Sequence, residues 1–511
     1  MQAARLLSMS ELIGRSNLRA CLALMLLIAG ARCLQIEGVG DLPLWDQWFL
    51  EFGSIVSPVA AGDFHPDLLL AGTHNEHYVL YQRLSTLTFL GLSGRWEPRD
   101  ELILATLVRA LDLGLTFLLL SRGQPGWMRA LLLALLAGVG ALPVGVFNLV
   151  SGFQMQYFVG DVLHLLILVL LCRGPVTIES LAIALLLFVL SLLNMATVAI
   201  TAVAACVVLS LKAALRRPDR AAILPGIVLT AAFAAFTFFT TPSSNLLGAR
   251  NAAEFTRVFL EVLSWPFPSL PWLSLVNLVP LVLLLRRIVR EPDREQAWFV
   301  LALSLACLIQ MAAIAFARAR SGNPAFPQYA DGLWFSQILG VLALAEALRP
   351  GAGAPSRRAV GVCVVWGLWI GAALVSFTAF RGAPDLMAVR EAVASRRPQF
   401  AAALKTGDFA SFEPEVKEVS RMRMNRDFAF FDHPVGRFAI PEAYFDELRR
   451  DHLKLMPYLP AALVGAPPSW TSRCLNGFAS LGPFLLLAGA LLLGVDVLKS
   501  LRGNEPRAGT A

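Results

Sequence analysis

A chain of 511 residues that is 57% hydrophobic, only 15% charged and of mean hydropathy +0.64 is not an ordinary soluble protein, in which about a quarter of residues are charged. The formal net charge of +7 does not point to nucleic acid, because the basic residues are scattered between apolar runs, as in the cytoplasmic loops of a polytopic membrane protein. The seven cysteines stand singly with no CxxC, which removes zinc-ribbon and redox motifs; Cys33 and Cys474 are the two that could meet in a disulfide near the outer face.

A helix needs about 20 mostly apolar residues to cross the hydrocarbon core of a bilayer. Such runs lie near 17–35, 101–121, 128–146, 157–173, 176–192, 196–212, 221–240, 269–288, 296–316, 332–348, 359–380 and 477–498, and predict twelve spans. The first is read as an uncleaved span, because Arg32 stands where a signal-peptide cleavage site needs a small residue. With the N-terminus in the cytoplasm, Arg122, Arg129, Arg173, Lys212, Arg216, Arg217, Arg220, Arg286, Arg287, Arg290, Arg294, Arg349, Arg357 and Arg358 all fall inside. The short outer loops hold only Arg250, Arg257, Arg318 and Arg320, so the positive-inside rule puts both termini in the cytoplasm. Tyr78 to Leu90 is also apolar, but a crossing there would invert every later loop. It is expected to lie flat on the outer surface as an amphipathic helix. The expected fold class is thus an all-α polytopic membrane protein, with a core over 1–380 and an outer loop over 36–100. A small outer lobe over 381–476 precedes a last span and tail over 477–511.

The outer loop carries the chemistry. Asp46 stands between Trp45 and Trp48, and tryptophan settles at the membrane–water interface, so this carboxylate is expected at headgroup level as a general base or metal-holding group. Beside it, His74, Glu76, His77 and Arg83 form a second polar group suited to a divalent ion or a phosphate-bound sugar. The turn after the third span holds Asn148, Gln154, Gln156 and Tyr157, the amides and aromatics that sugar hydroxyls need; an ordinary polar turn is the competing reading. Asp161 and His164 follow inside a span, where ionisable residues are costly and mark function unless they pair with each other. Arg109 and Asp112, three apart in the second span, read as an ion pair that fixes helix packing. Arg318 and Arg320, followed by Tyr329, run against the charge bias and suit an anionic phosphate headgroup, with snorkelling to anionic lipid as the plainer alternative.

This order of features resembles the GT-C superfamily of integral membrane glycosyltransferases. Asp46 matches the acid that follows their first span. His74-Asn75-Glu76-His77 through Arg83 resembles an Asn-Glu-His-Arg element with Tyr78 in place of its arginine. Phe153-Gln154-Met155-Gln156 resembles a Phe-Gln-x-Gln element, and Arg318 through Tyr329 an Arg…Ser-Arg-Tyr element in which Pro327-Gln328 replaces Ser-Arg. The resemblance implies a polyprenyl-phosphate-linked sugar as donor and a periplasmic glycan, lipid or protein as acceptor, at a bacterial inner membrane. It also implies Asp46 as catalytic base, with His74, Glu76, His77, Arg83, Gln154, Gln156, Asp161, Arg318, Arg320 and Tyr329 around the substrate. A divalent cation such as Mg or Mn would be held among Asp46, Glu76 and His77. A polysaccharide polymerase or ligase is the alternative enzyme; a lipid-linked-sugar transporter would need polar residues along a two-sided path and repeat symmetry, and no repeat is visible.

Overall fold

The computed structural model describes residues 15–40, 47–70, 77–240, 248–320, 329–349, 356–406 and 469–502, and among these the regular structure is helical. Each of the twelve apolar runs forms a helix: α1 (Arg15–Gln35), α4 (Pro98–Ser121), α5 (Gly126–Ala141), α7 (Met155–Cys172), α8 (Ile178–Asn194), α9 (Val198–Leu215), α10 (Arg220–Thr240), α12 (Leu273–Arg290), α13 (Glu295–Arg318), α14 (Ala330–Leu348), α15 (Arg357–Phe377) and α18 (Gly482–Arg502). Among the described residues nine helices are long and apolar enough to cross a membrane. The remaining three of the twelve are α5 and α8, whose apolar stretches are shorter, and α12, which carries Arg286, Arg287 and Arg290. Between them lie the short α2 (Ser57–Ala61), α3 (Leu80–Ser93), α6 (Val146–Val150), α11 (Ala252–Leu263), α16 (Ala383–Thr406) and α17 (Trp470–Ser480).

Local chemistry sets the helix ends. Thr177 and Ser180 close a capping box at the start of α8, Asn251 caps α11, Ser356 caps α15 and Ser469 caps α17, each side chain taking an orphan backbone N–H. Gly94 ends α3 in the left-handed conformation, which costs glycine little. Val79 adopts the same region at φ +51, unusual for a β-branched residue; its N–H bonds the Asn194 carbonyl at 3.0 Å and ties the start of α3 to the end of α8.

The first and last long helices pack together through glycine. A Cβ on Gly30 would lie 2.3 Å from the Leu486 nitrogen, and one on Gly489 2.3 Å from the Leu27 nitrogen, so α1 and α18 touch backbone to backbone. The main core runs through the bundle from Leu24 and Ile28 to Trp298, Trp334 and Leu342. We call the end of the bundle that carries residues 36–97 the upper end. A second core lies there: Phe52, Val56, Leu90 and Trp96 meet Ile36, Ile103 and Leu149, and Leu386, Val389 and Val393 of α16 join them. The helix begun by α15 therefore runs through residue 381, by a π-helical turn at Thr378–Gly382, into α16. Residues 383–406, expected in a separate lobe, pack on the first outer segment, and Arg390 Nη2 donates to the Leu34 and Gln35 carbonyls at 2.8 and 2.9 Å. Most of the expected lobe, 407–468, lies outside the described residues.

α3 is amphipathic, and its polar face is the covered one. Its polar residues Gln82, Arg83, Ser85 and Thr86 are buried while Leu84 and Leu92 are exposed. The buried face meets a π-helical stretch over Gln47–Val56 that supplies its own polar groups, so the apolar side is the one left to face outward. Cys33 and Cys474 are both free thiols.

Candidate functional site

A cavity of about 170 Å³ lies in the upper half of the bundle between α4, α7, α9, α13 and α14. Its walls include Leu113, Leu165, Ile200 and Ile314, with Tyr157, Phe158, Tyr329 and Phe335 as aromatic faces. Its polar lining comes from helix interiors. Arg109 of α4 is the hub: Nη1 reaches Asp112 at 2.6 Å and Asp161 at 3.8 Å, and Nη2 reaches Asp331 at 3.2 Å. Asn148 Nδ2 donates to the second Asp331 oxygen at 2.9 Å. The Phe158 ring is flanked by two guanidiniums, Arg109 at 5.0 Å and Arg32 at 5.4 Å, and Arg32 Nε donates to the Gly140 carbonyl at 3.0 Å. Charges this deep persist only when paired, and one guanidinium with five N–H donors serves three carboxylates from three helices. All three aspartates line the cavity, but Asp112 and Asp331 are nearly covered, whereas the Asp161 side chain is 52% exposed. Asp161 and His164 do not pair: Asp161 turns to Arg109, and His164 Nε2 lies 3.0 Å from Ser191 Oγ.

Above this cavity the outer segment is pinned by a carboxyl pair. Glu51 and Glu101 are fully buried. Gln82 Nε2 bridges them at 2.7 and 2.9 Å, and Gln47 Nε2 donates to Glu51 at 2.9 Å. Burial pushes Glu51 up to about 7, against the opposing pull of its hydrogen bonds. Burial disfavours the charged form of a carboxyl, so this joint is built to hold a proton.

The residues singled out in the sequence separate into groups. Asp161 and Tyr329 line the cavity. Gln154 and Gln156 are buried beside it, their side-chain oxygens without hydrogen bonds, and the Gln156 carbonyl takes a bond from Asn194 Nδ2 at 2.7 Å. His77 is buried nearby, where its Nδ1 accepts from the Ala196 N–H at 3.3 Å, next to the lining residues Met195 and Thr197. Arg83 is not brought to the cavity: its Nη1 donates to the Leu69 carbonyl at 3.1 Å, and burial lowers its pKa. Arg318 and Arg320 sit at the upper end of α13, Arg318 Nη1 on the Ala317 carbonyl at 3.3 Å and Arg320 Nε on the Gly248 carbonyl at 2.8 Å. Asp46, His74 and Glu76 lie outside the described residues. Sequence reasoning missed Arg32 and Asp331 and took Arg109 and Asp112 as packing. The signal was present: each is an ionisable residue inside or at the mouth of an apolar run. Among the described residues no group of three or more His, Cys, Asp or Glu could hold a metal ion, and the three aspartates converge on a guanidinium instead.

Comparison with protein-family models, with curated proteins and with solved structures finds no match to this chain.

Proposed function

We propose that this chain is a membrane glycosyltransferase that moves a sugar from a polyprenyl-phosphate donor to a hydroxyl of a glycan, lipid or protein acceptor. One observation carries the reading: a half-exposed carboxylate, Asp161, in a cavity confined to one end of an apolar helix bundle. The lower ends of the same helices are tied by side-chain contacts. Lys212 meets Glu295 at 2.6 Å, Gln124 meets Glu346 at 2.6 Å, and Arg173 Nη1 donates to the Leu119 carbonyl at 2.9 Å. A one-ended polar cavity under interfacial helices suits chemistry on a headgroup, whereas a transporter needs a path to both ends.

In this reading the twelve apolar helices all span, both termini are cytoplasmic in a bacterial inner membrane, and the upper end is periplasmic. Asp46 accepts the acceptor's hydroxyl proton while that oxygen bonds the anomeric carbon. The bond from that carbon to the phosphate oxygen breaks with its electron pair leaving on the phosphate. Positive charge grows on the sugar ring, which nearby carboxylates stabilise, and negative charge on the phosphate, which arginine at the upper end of α13 stabilises.

Purified protein incubated with radiolabelled polyprenyl-phosphate sugars and a cell-envelope acceptor tests this. Wild type is expected to transfer label, and Asp46→Asn to lose roughly 10²–10⁴-fold in rate at unchanged expression. Near-normal transfer by Asp46→Asn would take that residue out of the mechanism, and no transfer from any such donor would sink the reading.

A further inference from the structure

Among the described residues, the polar cluster of the cavity is short of one positive charge. Two guanidiniums, Arg32 and Arg109, face three carboxylates, Asp112, Asp161 and Asp331. Asp112 and Asp331 are matched by Arg109 at 2.6 and 3.2 Å and, for Asp331, by Asn148 at 2.9 Å. Arg32 is committed to the Gly140 carbonyl and the Phe158 ring. Asp161 has only the far contact of 3.8 Å, to an Arg109 nitrogen already held by Asp112 at 2.6 Å. His164 lines the cavity with its Nε2 against Ser191 and makes no ion pair.

Asp161 is also the open member of the cluster, so a ligand in the cavity meets its carboxyl group directly, and a cation there would supply the partner closer than 3.8 Å that Asp161 lacks among the described residues. Apolar walls lower the local dielectric and strengthen its pull on a cation. Tyr157, Phe158, Tyr329 and Phe335 add ring faces, which attract ammonium groups. We propose that the cavity binds a primary ammonium group on Asp161, carried either by the glycosyl group of the donor or by the acceptor. This deepens the glycosyltransferase reading and rests on it for the sugar, but the ammonium site stands on the cavity lining and on the ion-pair distances around Asp161.

The test is equilibrium dialysis of the full chain in phospholipid nanodiscs against labelled soluble probes, at a pH below the amine's pKa. Glucosamine, ethanolamine, glucose and N-acetylglucosamine are the probes. Wild type is expected to bind glucosamine at least about tenfold more tightly than glucose or N-acetylglucosamine, which lack the charge; tenfold is about 1.4 kcal/mol. Asp161→Asn should bring the ratio to about one, and Asp161→Glu should keep it. Glucosamine ahead of ethanolamine places the amine on a sugar, and the reverse places it on a headgroup-like acceptor. Equal binding of charged and neutral probes, no binding of either amine, or a preference that survives Asp161→Asn overturns the proposal. The wild-type comparison of glucosamine with N-acetylglucosamine decides the matter even where a variant fails to fold. Failure of the transferase reading looks different: ammonium selectivity is present, yet no labelled sugar leaves a polyprenyl-phosphate donor.

Discussion

Arg109 shows how one residue can be legible in kind and misjudged in role. Its spacing to Asp112 gives an ion pair, which forms at 2.6 Å, but the same guanidinium also gathers Asp331 from α14 and Asp161 from α7. Three-apart spacing reveals only partners on the same helix; partners from other helices depend on packing. Arg109→Ala leaves three carboxylates around an empty centre and is expected to cost about 3–5 kcal/mol, read as a lower melting temperature in detergent. Arg109→Lys should recover part of that, since a lysine keeps the charge without the fork. Glu51 gives a prediction in pH. Its folded pKa of about 7 stands above the ordinary 4.5, so the folded chain holds a proton that the unfolded chain has released. Its stabilising contribution is full below about 4.5 and falls as pH rises toward 7, by about 3 kcal/mol in all. Hydrogen-exchange protection of residues 47–61, corrected for the intrinsic pH dependence of exchange, should fall across that window in wild type and stay level in Glu51→Gln, and an unchanged wild-type protection would rule out the proton-held joint.

At the scale of elements, apolar run length located twelve helices but not the charged 24-residue α16, because a bilayer core sets a length that composition reveals only for apolar helices. The orientation of α3 was not legible. Its sequence is amphipathic, and periodicity says which residues share a face but not whether the polar face meets water or the buried Gln47–Val56 stretch. The start of the 381–476 segment shows a related effect: the composition after α15 turns charged, yet Leu386, Val389 and Val393 keep a helical spacing that packs them on the upper core. The pairing of α1 with α18 rests on glycine. Gly30→Leu or Gly489→Leu forces a side chain into the facing backbone and is expected to cost at least about 1–3 kcal/mol. Gly361→Ala, which opens onto free space, should be neutral or slightly stabilising. Thermal unfolding of the three variants checks the contrast; equal effects would mean that α1 and α18 are not held by close approach.

For the whole molecule, the positive-inside rule predicts the direction of the bundle. Reporter fusions at Ala354 and Gly407 are expected to report inside and outside respectively, and the opposite pattern would invert the assignment of the upper end. The sequence by itself determined that this is a polytopic helical membrane protein, where its apolar helices lie, and that its ionisable residues gather toward one end. Those properties follow from local composition, since each apolar run satisfies its own backbone whatever its neighbours do. Only the tertiary structure decided which buried charges share a site. Arg32, Arg109, Asp112, Asn148, Asp161 and Asp331 come from distant parts of the chain, and no spacing rule joins residues 32 and 331. Helix packing does, because a charge in an apolar interior is stable only where several helices bring it partners.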